Sequence, residues 1–158
     1  MLDGNRHGYG IVYTTDRNAD CPNLYECQWH KGIPIEGRYI NIWSDDNTWR
    51  KYEGTLSHTY RLHGQGSEHW EDGWSYQGGY KEGNQHGQGK IIWSGGSGYE
   101  GGWKDGWQHG QGRQTDKQGG YHEGQWEEAK AIGVHRYYDK EGQLLKIYDE
   151  DNNKEIIQ

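Results

Sequence analysis

The chain has 158 residues, enough for one domain or one short array of repeats, with only 30% hydrophobic residues, no Phe and a formal net charge of −7. So polar a chain ordinarily cannot bury enough apolar surface to offset the entropy of ordering, yet 9 Trp and 13 Tyr supply such surface wherever flat rings can stack. The acidic balance disfavours nucleic acid and polybasic contact with anionic lipid; with no apolar run long enough to span a bilayer and no basic-then-apolar leader, a soluble, non-secreted protein is expected.

The sequence repeats at a step of 23 residues. In chain order, Gly4, His7, Gly8 and Gly10 form the second half of a copy with no first half ahead of it. After the irregular insert TTDRNADCPN come Tyr25, Cys27, Trp29 and Gly32, a first half whose second half, around Ile35 to Gly37, has lost its His-Gly. The next copy, Tyr52, Gly54 and Leu56, carries one extra residue before His63, Gly64, Gly66 and Trp70. Two regular copies follow: YQGGYKEGNQHGQG from Tyr76, continued by Trp93 and Gly96, and YEGGWKDGWQHGQG from Tyr99, with Asp116 where Trp stood and then Gly119. The last copy keeps His122, Gly124, Trp126 and Gly133 but has Ala129, Ile132 and His135 in place of Gly, His and Gly, as terminal repeats often do.

Each copy reads as a β-hairpin. Tyr76, Gly78 and Tyr80 alternate, so a strand sets them on one face. Lys-Glu-Gly at 81–83 and Lys-Asp-Gly at 104–106 provide the positive backbone angles of a tight turn. The second strand runs from about Gly87 to Trp93, its glycines leaving room for a neighbouring ring to lie flat across the backbone. HRYYDKEGQLLKIYDEDNN reads as a further hairpin turning at Lys140-Glu141-Gly142 and an acidic tail, a cap over 136–158 that shields the last strand. The final DNNKEIIQ is expected to be a short helical turn or disordered.

Chemistry-bearing constellations are weak. His7, His63, His86 and His109 recur at one position, but successive hairpins hold them about 10 Å apart, too far to share a metal; each is expected to bond backbone at its turn. Cys21 and Cys27 fit neither a disulfide framework nor a zinc spacing and read as free thiols. GNQHGQGK, 83–90, lacks the second Gly, the Ser or Thr and the helix of a phosphate loop. Neither a nucleophile elbow nor a cofactor motif is present, so no catalytic residue, metal or cofactor is expected.

The rings are the candidate site. Tyr52, Trp70, Tyr76, Tyr80, Trp93, Tyr99, Trp103 and Trp126 fall at repeat positions expected to share one face, both as thin core and, with no second layer over them, as an apolar binding surface. Trp43, Trp49, Trp74 and Trp107 lie outside the repeat and are candidates for pure partner contacts, Trp107 being added to the groove set.

The pattern Y-x-G-x-[WY]-x-x-G-x-x-H-G-x-G at this period resembles the MORN repeat (membrane occupation and recognition nexus) over about residues 4 to 135. The resemblance implies an all-β fold, a single-layer elongated antiparallel sheet of stacked hairpins forming a trough, with 1–135 as the array of five to six units. An open trough points to a noncatalytic scaffold receiving a partner's peptide or helix in the aromatic groove; the resemblance adds a cytoskeletal, ciliary or axonemal assembly in the cytoplasm, and homodimerisation is a further option. Two alternatives stay open: a phosphoinositide- or membrane-associated tether, and the regulatory array of a larger enzyme.

Overall fold

The computed structural model describes residues 4–16, 19–42 and 48–157. The chain divides between Gly83 and Asn84 into two units. The first contains β1 (Gly8–Asp16), β2 (Ala19–His30), β3 (Ile33–Ile42), β4 (Trp49–Leu56), β5 (Leu62–Trp70) and β6 (Ser75–Lys81). The second contains β7 (Asn84–Ile92), β8 (Gly98–Lys104), β9 (Trp107–Thr115), β10 (Tyr121–Glu127), β11 (Lys130–Tyr138), β12 (Leu144–Asp149) and β13 (Lys154–Ile157). In each unit strand order follows chain order and every neighbour is antiparallel. Among the described residues there is no helix, so the fold is the expected all-β antiparallel sheet of successive hairpins.

Turn chemistry sets the hairpin boundaries. Both central residues have positive φ at Lys31-Gly32 (50° and 83°), Glu82-Gly83 (49° and 93°), Asp105-Gly106 (52° and 88°) and Glu128-Ala129 (47° and 63°), the type I′ geometry whose twist matches the flanking strands. Two-residue turns let β7 start at Asn84, three residues before the expected Gly87. The return loops share another pattern: Gly73, Gly96, Gly119 and Gly142 donate their N–H to the carbonyls of Trp70, Trp93, Asp116 and Asp139. Where Asp replaces Trp, its carboxylate completes the loop: Asp116 Oδ1 accepts from the N–H of Gln118 and Gly120, and Asp139 Oδ1 from that of Gln143.

The repeat register holds. Tyr76, Tyr99 and His122 are each the second residue of their strand, in β6, β8 and β10. The reverse face carries cross-strand charge: in the first unit Arg38 stands between Glu26 and Glu53, bonding the latter at 2.9 Å, and in the second Lys90 meets Glu100 and Arg113 meets Glu123, both at 3.0 Å.

One expectation at the C-terminus changes. The final segment is neither helical nor disordered: Lys154–Ile157 pairs with β12 after a turn in which Asp149 Oδ1 accepts from the N–H of Asp151 and Asn152. The hairpin at Lys140-Glu141-Gly142 forms between β11 and β12, but β11 runs through the expected boundary at 135/136, so the last repeat and the cap share a strand. Trp43 and the side chain of Cys21 lie outside what is described.

Candidate functional site

The repeat tyrosine lies across the glycine of its partner strand. In the first unit Tyr52 is wholly buried, and a Cβ on Gly66 would overlap its ring. Its hydroxyl donates to the carbonyl of Thr55, three residues on, at 2.8 Å. In the second unit Tyr99 lies over Gly112 in the same way and donates to the Gly102 carbonyl at 3.1 Å; Tyr76 donates likewise to Gly79. Removing the Cβ thus makes room for the ring, and the ring hydroxyl satisfies a buried carbonyl.

The second aromatic of each strand meets these tyrosines edge-on, the arrangement that ring quadrupoles favour. Tyr80 packs against Tyr52 and Tyr76 at 5.4 and 5.1 Å between centroids. Tyr99 contacts Trp103 and Trp126 at 5.4 and 5.3 Å, and these tryptophans donate their Nε1–H to the carbonyls of Gly89 and Gly112. Six of the nine candidates, Tyr52, Tyr76, Tyr80, Tyr99, Trp103 and Trp126, are therefore buried core. Trp70 and Trp93 are half-buried, and Trp70 meets the half-buried Trp74 edge-on at 5.5 Å. Trp107 does not join the group: it pairs with Lys104 while Gln108 pairs with Trp103, so Trp107 lies on the reverse face and is 59% exposed. A residue next to the turn follows the parity of its own strand, and spacing outside the repeat could not show that.

The repeat pattern also passes over a buried charge. Glu68 stands between Tyr52 and Tyr76 in register, one period before Ile91, and is 4% exposed. Tyr80 Oη donates to Glu68 Oε2 at 2.9 Å, and Arg50 Nη1 lies 3.4 Å from Oε1. Arg50 also donates to Tyr39 Oη at 2.7 Å, its guanidinium lying 5.3 and 5.2 Å from the Tyr39 and Trp70 ring centroids. Burial pushes the Glu68 carboxyl up, against the opposing pull of Arg50 and Tyr80; burial and then the Glu68 charge push the Tyr80 hydroxyl far above its ordinary value. The sequence signal was Glu at a position where the following copy has an apolar residue.

In the last copy both members of the tyrosine–glycine pair change. His122 replaces Tyr and His135 replaces Gly, and a Cβ on Gly124 would overlap the His135 ring. His135 is wholly buried; its Nε2 lies 2.9 Å from the Gln125 carbonyl, the group three residues beyond His122, and its Nδ1 lies 3.0 Å from His122 Nδ1. The carbonyl can only accept, so Nε2 carries the proton and, in the neutral ring, Nδ1 accepts from His122. Beside this pair Gln114, His122, Tyr137, Leu145 and Lys146 line a cleft of about 520 Å³, with Tyr137 stacked on His122 at 4.7 Å.

Two of the recurrent histidines face carboxylates rather than backbone. His63 and His86 turn toward the carboxylates of Glu82 and Asp105, at 3.6 and 3.5 Å. Among the described residues no group of three or more His, Cys, Asp or Glu is placed to hold a metal ion. Cys27 is buried in the position of a repeat glycine, and desolvation pushes its thiol up to about 11, so its thiolate is scarce at neutral pH.

The model of the MORN repeat family matches residues 1–18, 60–75, 76–98 and 99–121, which together make up half of the chain. No curated protein matches it. The matched stretches omit the copies in which Cys27 and His135 take glycine positions. MORN repeats are a non-enzymatic module of protein and membrane interaction. With its tyrosine-over-glycine hairpins and four matched stretches, the chain belongs to the MORN repeat family.

Proposed function

We propose that the protein is a noncatalytic scaffold whose ring-bearing face receives a peptide or helix of a protein partner, within a cytoskeletal or ciliary assembly. The observation that carries the reading is that within each unit the described strands contact their sheet neighbours in a single layer, and the outer rings, Trp70 and Trp74 in the first unit and Trp93 in the second, remain half-exposed. The buried rings hold the sheet together, and the half-exposed ones supply the contact. Cytoskeletal and ciliary placement rests on what the family resemblance implies.

The test is capture of partners from the native cell by the wild-type chain and by Trp93→Ala, with Trp107→Ala as control on the reverse face. The Trp93 variant is expected to lose one prominent protein and the control to keep it, with both circular dichroism melts intact. Equal capture by all three chains removes the ring face from the account.

A further inference from the structure

The return loops of successive copies close with the same two backbone bonds but carry different side chains. In loop 70–74 the N–H of Trp70 donates to the Trp74 carbonyl and that of Gly73 to the Trp70 carbonyl; in loop 116–120 the N–H of Asp116 donates to Gly120 and that of Gly119 to Asp116. The first and last positions are Trp70 and Trp74 in one copy, Trp93 and Ser97 in the next, and Asp116 and Gly120 in the third. Trp70 and Trp74 meet edge-on at 5.5 Å, so that loop sets two indoles in contact, whereas loop 116–120 carries none. Asp116 and Gly120 line the cleft of about 520 Å³ beside His122, within the range of ligand pockets, about 300–1,000 Å³. One wall is the stacked pair of His122 and Tyr137, 4.7 Å apart and 3° from parallel. The Tyr137 hydroxyl donates to Glu150 Oε1 at 2.5 Å, which fixes the ring, and exposed Leu145 adds apolar surface beside it.

We propose that this cleft receives the indole of a tryptophan side chain from a protein partner, in place of the ring that earlier copies supply themselves. The inference rests on the ring face receiving a partner segment and adds which side chain is taken there. Charge around the cleft is complementary to an indole, whose face is negative and whose edge and N–H are positive. Lys146 Nζ lies 4.6 and 4.9 Å from the ring centroids of Tyr137 and Tyr148, which puts an ammonium beside the stacked wall, where the face of a further ring meets it. Carboxylates stand at the rim. Glu155 lines the cleft, and Asp116 Oδ1 accepts from the N–H groups of Gln118 and Gly120, which leaves Oδ2 to accept from an indole N–H. A phenylalanine ring brings no such donor.

The probe is a blocked peptide, acetyl-Gly-Trp-Ser-Gly-amide with a fluorinated indole, titrated with the 158-residue chain and followed by fluorine NMR. Saturable broadening is expected, with half-saturation at about 1 mM or below, and the fluorinated phenylalanine counterpart should bind about fivefold more weakly. Asp116→Trp gives the loop the residue type of Trp70 and Trp93; it should fill the cleft and cut affinity at least tenfold (~10×), with the circular dichroism melt intact. Asp116→Asn keeps the oxygen that closes the loop but turns a donor toward the rim, so it should bring the tryptophan peptide down to the phenylalanine value and leave the latter unchanged. No saturation by about 10 mM, binding undiminished in both Asp116 variants, or binding of free methylindole without the peptide would each overturn the proposal, the last by making the cleft a small-molecule site. The titration needs no cellular partner, so its failure is distinct from failure of the capture test.

Discussion

Ala129 carries a backbone conformation that equivalent turns give to glycine. Its φ of 63° corresponds to 93° at Gly83 and 88° at Gly106. An L-residue there costs about 1–2 kcal/mol, while glycine loses more freedom on folding, about 0.5–1 kcal/mol. The side chain is exposed, so removing it forfeits little burial. Ala129→Gly is expected to stabilise the protein by about 0.5–1 kcal/mol, read as a shift in the denaturant midpoint at constant slope; a loss of stability would show that the turn is not strained. At the tyrosine sites the logic reverses, because Gly66 and Gly112 are required for space rather than for an unusual backbone angle.

On the scale of the hairpin, β10 and β11 solve the same problem with different residues. A ring must fill the groove over Gly124 and satisfy the carbonyl three residues beyond the repeat tyrosine; here His135 does both from the opposite strand. His122→Tyr alone crowds His135 and is expected to cost about 1–3 kcal/mol. His135→Gly alone leaves a hole and an unpaired Gln125 carbonyl, about 3 kcal/mol in all. The double variant recreates the Tyr99–Gly112 arrangement, so its loss should fall short of the two single losses together by at least about 1 kcal/mol. Additive losses in a denaturation cycle would remove the exchange of roles. Protonation gives an independent check. Burial, and then His135, hold the His122 imidazole below its ordinary pKa, with Lys146 acting in the same direction and Glu150 against it. The folded state therefore prefers the neutral ring. The associated stability is fully present above the unfolded value of about 6.5 and is lost as pH falls through the depressed folded value. Melting temperature should drop more steeply for the wild type than for the double variant as pH falls from about 6.5 toward the depressed folded value; parallel curves would show that the pair does not titrate with unfolding.

For the whole molecule, charge separates the two kinds of contact that MORN repeats make. The formal net charge is −7, and Tyr52 to Arg113 holds five basic residues against seven acidic. Of these cations, Lys90 and Arg113 are paired with Glu100 and Glu123, so the regular repeats offer little to an anionic headgroup. Flotation with phosphoinositide vesicles is expected to leave the protein at the bottom of the gradient, and salt-sensitive retention would replace the protein partner with a membrane. The sequence by itself determined the hairpins, their I′ turns at Glu82-Gly83 and Asp105-Gly106, and the tyrosine–glycine alternation, because a strand period of two and a turn needing positive φ are local properties. It did not show that Glu68 is buried with Arg50 and Tyr80, that His135 takes over the tyrosine's bond, that Trp107 lies on the reverse face, or that the final residues form β13. Those depend on which residues meet across strands. Cross-strand partnership follows from register, which bulges such as those at Gly54/Leu56 and Glu123/Gln125 reset one strand at a time, so only the tertiary structure decided it.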